Sequence, residues 1–227
     1  MTTRASREIR RIMNTLTDAI VEHRLPPGAQ LTEAKLVEAL DANRNHVRAA
    51  LQKLASETKI VALIPNRGAF VAMPTADEAT QVFHVRRILE QAIVEGVICN
   101  LTARNKSRLI NQVEREREAI ISQERQQMIR ESGNFHRLLG NISGNKILAE
   151  MNDTLIARTS LIIALYQETP DVKCSIGEHQ AVMQALFSGD ESQAVRLMEE
   201  HLAHIQRNLL LDCHSREVDL IGALKPS

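Results

Sequence analysis

Residues 43–54, read Asn-Arg-Asn-His-Val-Arg-Ala-Ala-Leu-Gln-Lys-Leu, constrain this chain more than any other stretch. Arg44 and Arg48 stand four residues apart, which sets both on one face of a helix. Val47, Leu51 and Leu54 recur at spacings of four and three and form a second, buried stripe. A short helix with one core face and one cationic, amide-rich face suits insertion into a DNA major groove. There arginine forks grip guanine edges or phosphates, and Asn pairs with adenine. Taken alone, the segment reads equally as an ordinary charged surface helix.

The neighbouring residues decide between the two. Leu25-Pro26-Pro27-Gly28 is a turn signal. Thr32 stands where it can cap a helix that continues through Lys35 to Leu40, and Asp41-Ala42-Asn43 makes a tight connection into the arginine-bearing helix. Residues 60–64 and 69–72, rich in β-formers and joined by Pro65-Asn66-Arg67-Gly68, read as a β-hairpin. Helix, helix, recognition helix, hairpin is the order of a winged helix-turn-helix, expected over residues 1–73. Its candidate DNA contacts are Arg10, Glu33, Lys35, Asn43, Arg44, Asn45, His46, Arg48, Arg67 and Gly68.

The chain has no net formal charge, but its parts differ. Residues 1–73 hold 11 Lys and Arg against 7 Asp and Glu, and the remainder holds 17 against 21. A basic head on an acidic body fits DNA binding by the head. Arg4, Arg7, Arg10 and Arg11 could touch phosphates, adding affinity and salt dependence but no base reading. No apolar run approaches the roughly 20 residues that span a bilayer, and no secretory signal is evident. Cys99, Cys174 and Cys213 are widely spaced, odd in number and free of CxxC pairing, which suits reduced thiols and predicts a cytoplasmic protein. Cys99, within an apolar helical run, is expected in the core.

From about residue 78 the pattern is helical throughout. Val82, Val85, Leu89, Ile93 and Val97 mark one apolar stripe; Leu148, Met151, Leu155, Ile162 and Leu165 mark later ones. Breaks fall at Asn100-Leu101-Thr102, Ser143-Gly144-Asn145, Thr169-Pro170-Asp171 and Ser188-Gly189-Asp190. The expected fold is therefore mainly α: the winged head with its small β-hairpin, a linker at 74–78 with Thr75 as a helix cap, an all-α antiparallel bundle of about six helices over 79–214, and a tail at 215–227. Trp is absent and Tyr occurs once, so Leu, Ile, Val, Ala and Met must fill the core. The run Glu114 to Glu118 reads as a solvated face, with Glu114 near Arg117 and Arg115 near Glu118.

Histidines carry what chemistry this half offers. His136, His179 and His201 fall on three separate expected helices, each beside apolar residues that would turn it inward. Three imidazoles meeting inside a bundle make a divalent-metal site of the zinc, nickel, iron or manganese type. Singly, each reads first as a surface or satisfied core histidine rather than a ligand. His84 and His204 are spares.

The pattern Leu-Pro-Pro-Gly-x-x-Leu-Thr-Glu, Asn-Arg-x-x-Val-Arg-x-Ala-Leu-x-x-Leu and Asn-Arg-Gly-x-x-Val resembles GntR-type transcriptional regulators. Asn43, Asn45-His46 and Ala49 depart from the family's usual Ser, Thr-Pro and Glu, which leaves the operator sequence open. The remainder is similar to the FCD branch of that family, through Val85-Arg86-Arg87-Ile88-Leu89-Glu90, Phe135-His136-Arg137-Leu138, Ser143-Gly144-Asn145, Glu178-His179 and Gly189-Asp190 followed by Ala194 and His201. The resemblance covers roughly residues 8 to 212. It implies that His136, His179 and His201 bind a metal, zinc first among the candidates. The family's Asp four residues before the first His is Ser132 here, so a carboxylate-bearing effector could complete the coordination. It also implies an effector anchor at Arg86, which otherwise simply pairs with Glu90. Ser132, Asn134, Arg158 and Tyr166 are further effector-site candidates.

The expected function is a homodimeric repressor on a palindromic double-stranded operator, released by a small carboxylate metabolite, with no membrane partner. Activation is the alternative sense. The competing classes are a hydrolase that uses a three-His centre, and a regulator whose C-terminal part serves only dimerisation.

Overall fold

The computed structural model describes residues 3–167 and 172–211, with side chains left undescribed at 172–175. The expected turn at Thr169-Pro170-Asp171, the side chains of Cys174 and Cys213 and the tail at 215–227 lie outside the described residues.

The head comprises α1 (Arg4–Val21), α2 (Glu33–Leu40), α3 (Arg44–Lys53), β1 (Val61–Ile64) and β2 (Gly68–Val71). Thr3 caps α1 by accepting from the Ser6 amide, and Asn43 caps α3 by accepting from the Asn45 amide. Thr32 occupies the cap position of α2 in extended backbone, but its side chain makes no capping bond. Asp41 closes α2 in the left-handed region, at φ 47°. The chain leaves α3 through a wide π-turn over Leu54–Thr58 that the sequence pattern did not foretell. β1 and β2 pair antiparallel, Val61 opposite Val71 and Ile64 opposite Gly68, around Asn66 (φ 62°) and Gly68 (φ 94°). A third strip completes this small sheet: Leu31 N donates to Ala69 O at 2.8 Å and Val71 N to Ala29 O at 2.9 Å. The sequence marked that strip only as a turn.

The bundle is α4 (Ala76–Cys99), α5 (Ala103–Ser122), α6 (Arg125–Ile142), α7 (Lys146–Tyr166), α8 (Val172–Ser188) and α9 (Glu191–Arg207). Thr75, Thr102, Asn145 and Asp190 each cap the helix that follows by accepting an amide. α4 starts at Ala76, so it takes up most of the expected 74–78 linker. Gly96 lets α4 approach the end of α6: a Cβ there would lie 2.8 Å from the Ser143 carbonyl oxygen.

Val47, Leu51 and Leu54 are buried as their spacing requires. They join Ile12, Leu16, Ile20 and Ile60 in a core that continues into Ala157 and Leu161 of α7, so the head rests on the bundle. The bundle core centres on Ile93, Val97, Leu109, Phe135, Leu139, Met198 and Leu202. Several expectations fail here. Cys99, Val85 and Met151 are exposed. On α4 the buried stripe runs instead through Val82, Phe83, Arg86, Glu90, Ile93 and Val97, because Arg86 and Glu90 neutralise each other inside. Arg115 does not meet Glu118; it reaches Glu131, 3.4 Å away.

Candidate metal centre and DNA-reading face

On the head, α2, α3 and the hairpin wing frame a groove lined by Glu33, Arg48, Gln52, Asn66, Arg67 and Gly68. Arg44 is exposed at the first turn of α3 and has no hydrogen bond or ion pair among the described residues. Arg48 is held by Glu33 through two parallel bonds, Nε to Oε1 at 2.8 Å and Nη2 to Oε2 at 2.9 Å. Both oxygens of Glu33 accept from Arg48, which holds the guanidinium in place on the groove wall. Asn43 gives its oxygen to the helix cap, leaving its amide nitrogen for contact. Asn45 and Lys35 are exposed. His46 is half-buried. Arg67 lies over the Phe70 ring, 5.5 Å from its centroid. Arg10 is exposed on α1, whereas Arg11 bonds Glu8 and the Leu40 carbonyl and ties α1 to α2.

In the bundle, α6, α8 and α9 bring His136, His179 and His201 together, all fully buried. Nε2 of His201 lies 3.1 Å from Nε2 of His179 and 3.3 Å from Nε2 of His136. Each Nδ1 faces a carboxylate: His136 meets Glu90 at 2.7 Å, His179 meets Glu116 at 2.8 Å and His201 meets Glu178 at 2.7 Å. Glu90 and Glu178 accept as carboxylates, so Nδ1 of His136 and of His201 carries the proton and Nε2 turns a bare lone pair inward; a cation on Nε2 of His179 would set that ring the same way, with Glu116 accepting. Ligand nitrogens ~2.0–2.1 Å from one tetrahedral zinc lie ~3.3 Å apart, which these separations match. The donor set and its carboxylate supports fit a divalent cation. His179 also stacks on Phe135, centroids 4.1 Å apart, which fixes its ring plane.

Burial lowers the basicity of His136 and His179 and keeps both neutral, as a metal ligand must be. Burial also pulls Glu90 toward its neutral form, but His136 and Arg86 together hold it well below the usual carboxylate range. Glu178 is lowered too, its hydrogen bonds from His201 and His204 overcoming burial. Glu116 goes the other way: burial pushes it up to about 9, and its Oε1 has no hydrogen-bond partner among the described residues.

These shifts predict a stability optimum for the chelator-stripped protein. Below about pH 6.5 the unfolded chain binds protons on His136 and His179 that the folded bundle refuses, so stability falls with acid by up to ~1.4 kcal/mol per pH unit for each. Glu116 has the opposite sign. It keeps a proton in the fold up to about 9 but loses it near 4.5 when unfolded, so its contribution falls as pH rises between those values. His136 and His179, joined by the buried His23, outweigh the carboxyls below about 6.5, and above it Glu116 dominates, with the raised Asp153 acting in the same sense. Calorimetry should find the highest Tm near pH 6.5. A Tm that climbs steadily from pH 6.5 to 8 would show Glu116 ionised in the folded state.

Beside the triad lies a partly open cavity of about 130 Å³. His136, Ser132 and Arg86 line it, with Gly133, Met128, Ile129, Ile156, Thr159, Ile163, Gln167 and Ile205. Arg86 is 3% exposed and gives Nε to Glu90 at 2.9 Å, so the pairing with Glu90 and the place on the cavity hold together. Its Nη groups have no hydrogen bond among the described residues. Three expected effector residues fall elsewhere. Asn134 bonds Glu131 and Arg137 on the helix side facing α5. Arg158 is drawn to Glu78. The Tyr166 hydroxyl donates to the Pro74 carbonyl at 2.9 Å and anchors the entry to α4. His84 is exposed, and His204 shares Glu178 with His201.

Sequence reasoning missed Glu116 as the support of His179. A signal was present: Leu109, Gln112, Val113, Glu116 and Ala119 recur at helical spacing and are all buried.

A winged head and a helical bundle that encloses a histidine triad and a small cavity define a DNA-binding regulator with a ligand-binding domain. Residues 8–71 match the family model described as bacterial regulatory proteins, gntR family, and residues 81–204 match the FCD domain. The chain belongs to the GntR family of transcriptional regulators, in the branch that carries an FCD effector-binding domain. It is 23% identical over 199 residues to the HTH-type transcriptional repressor RspR of Escherichia coli (strain K12), covering 87% of each. It is 28% identical over 147 residues to the HTH-type transcriptional regulator YdhC of Bacillus subtilis (strain 168), covering 63% of this chain and 65% of that one. A crystallised GntR regulator from Rhodococcus sp. RHA1 matches with a TM-score of 0.79 and 25% identity, over 89% of this chain and 97% of that one. Escherichia coli McbR/YncC has the same fold, with a TM-score of 0.79 at 22% identity over 87% and 94%. The family regulates transcription and is not a family of enzymes. No helix among the described residues is long and apolar enough to cross a membrane.

Proposed function

We propose that this chain is a cytoplasmic, homodimeric repressor whose DNA affinity falls when a small carboxylate joins a metal held by His136, His179 and His201. One observation carries the reading. Ser132, a poor ligand, stands one helical turn before His136 on the wall of the same cavity, where the family pattern has a carboxylate. A bound divalent ion, zinc foremost, would supply positive charge and an open coordination position. Nickel, manganese and iron are the other candidates. The chain's residues do the rest: Glu90, Glu116 and Glu178 orient the imidazoles, and Arg86 offers its Nη groups to an anion. No Asp or Glu lines the cavity among the described residues, which favours an anionic ligand and leaves hydrolysis without a carboxylate base there.

On the DNA side, Arg44 and Arg48 read a half-site, and Asn43, Asn45, Arg67, Gly68, Lys35 and Arg10 support them on bases or phosphates. α4 leaves Val85 and Ile88 exposed, 40% and 57%, a face suited to a second copy, and a two-fold dimer matches a palindromic operator. RspR bears the name of a repressor, which supports that sense of regulation here.

The test is zinc titration of the chelator-stripped protein with and without two- to six-carbon carboxylic acids, in parallel with DNA release. Coupling is reciprocal, so an acid that releases DNA through the metal must tighten zinc binding, by about tenfold for ~1.4 kcal/mol of coupling. Equal zinc affinity with and without every acid would refute the reading.

A further inference from the structure

The cavity does not belong to the bundle alone. Val21 and His23, at the end of head helix α1, are part of its wall. Besides Thr159 and Gln167, its polar lining falls into two groups. One is the triad end: His136 and Arg86, joined through Glu90, with Ser132. The other is the head end: His23, Ser160 and Arg125. Met128, Ile129, Ile156, Ile163, Ile205 and Val21 supply apolar wall.

The hydrogen bonds settle the state of His23. Its Nε2 lies 2.9 Å from the Ser160 carbonyl oxygen and 3.1 Å from Ser160 Oγ. A carbonyl only accepts, and Oγ gives its own proton to the Val21 carbonyl at 2.6 Å. Nε2 is therefore the protonated nitrogen. Nδ1 has no partner among the described residues. The backbone of His23 sits in the left-handed region, φ 58°, so its ring is set by the end of α1 as well as by Ser160. Burial above all keeps His23 neutral, and Arg125 adds to it; Arg125, exposed at the start of α6 and part of the same cavity lining, has no hydrogen bond or ion pair among the described residues. A solvent-exposed cation with no carboxylate partner among the described residues thus shares the cavity wall with a fixed imidazole.

We propose that the head end is a second anion subsite, so that the effector is a short two-headed acid gripped by the bundle and the DNA-binding head at once. One carboxylate sits at the triad end and the other on Arg125, taken up with one proton that it shares with the bare Nδ1 of His23, and an apolar spacer runs along the isoleucine wall. The size agrees. A dry cavity of ~150 Å³ holds benzene, so about 130 Å³, partly open, suits a straight diacid of four to six carbons. Such a ligand favours one placement of the head, since it touches both members of the His23–Ser160 contact.

This rests on the carboxylate-at-metal reading for its first subsite only, and the test separates the two. Zinc-loaded full-length protein is titrated calorimetrically with straight-chain α,ω-dicarboxylates of three to six carbons, each against the monocarboxylate of equal length. The preferred diacid should bind at least tenfold more tightly than its monoacid. Arg125→Gln and His23→Ala should each remove most of that advantage while changing monoacid affinity less than threefold. His23→Gln, whose amide can still donate to Ser160, guards against mere loss of the head's docking: it should retain folding and still lose diacid preference. Equal affinity for diacids and monoacids, or a diacid preference that survives both substitutions, overturns the proposal while leaving zinc-dependent monoacid binding intact. Diacid binding that is indifferent to zinc yet sensitive to Arg125→Gln would instead sink the metal reading and leave the head subsite standing. Failure of every acid to bind overturns both.

Discussion

Replacing Arg44 and Arg48 together with alanine should reduce binding to the operator, selected by the unmodified chain from a random-sequence library, by on the order of 100-fold or more per half-site. Each bidentate base contact is worth ~1–3 kcal/mol, or roughly 5- to 150-fold, and two are removed. The two arginines are not equivalent. Arg44 is free of ion pairs among the described residues, so its loss removes one contact and little else. Arg48 is clamped by Glu33 at 2.8 and 2.9 Å. Arg48→Ala therefore also leaves a bare carboxylate facing the phosphates. The double variant Glu33→Gln with Arg48→Ala should recover about tenfold of what Arg48→Ala loses, whereas Glu33→Gln alone should weaken binding by loosening the guanidinium. Fluorescence anisotropy at fixed salt measures all four corners of that cycle. If one arginine meets a base and the other a phosphate, Arg44→Ala and Arg48→Ala will differ in the salt slope, which drops by about one for each lost phosphate contact. Undiminished site-selective binding by the Arg44, Arg48 double variant would remove the groove-reading role from α3.

Why the head could be read so fully from its residues, and the bundle less so, is a matter of range. Val47, Leu51 and Leu54 are buried by a helical period that is local, and Thr75, Thr102, Asn145 and Asp190 cap their helices through bonds that span three residues or fewer. The third strip of the sheet is different. Gln30 pairs with Phe70 across the whole head, and nothing near Gln30 announces a partner so distant in sequence. The same holds for charges inside the bundle. Glu90 and Glu116 are buried because a histidine on another helix faces each of them, a fact that hydropathy scores as a break in the stripe. Cys99 and Met151 show the converse error: apolar type and helical period placed them inside, but their helices turn them outward at the ends of the packed face. The meeting of His136, His179 and His201 is tertiary in origin. Spacing placed them on three helices; only the family resemblance said that those helices converge.

Removing one histidine of the triad should have the largest effect on the bundle. With zinc at about 1,000 times its dissociation constant, binding stabilises the fold by ~4 kcal/mol. At roughly 2–4 °C per kcal/mol for a chain of this size, that is a Tm rise of ~8–16 °C. His201→Ala should abolish the rise, since two imidazoles cannot replace three. It should also lower the metal-free Tm, because Glu178 keeps only His204 and a buried void opens at the centre of the bundle. Glu178→Gln is the finer probe. The amide oxygen can still accept from His201 Nδ1 but lacks the charge that makes the imidazole a better donor, and such supporting partners are worth ~10- to 100-fold in metal affinity. Glu178→Gln should therefore keep a zinc-dependent Tm rise, smaller by about 1.4–2.7 kcal/mol of binding energy. Chelator competition gives the affinities directly, and calorimetry gives the stabilities. The two variants divide the possibilities: a triad that merely closes the core would lose stability in His201→Ala with no zinc effect in any form of the protein, whereas a metal centre loses the zinc effect in steps, from intact chain to Glu178→Gln to His201→Ala.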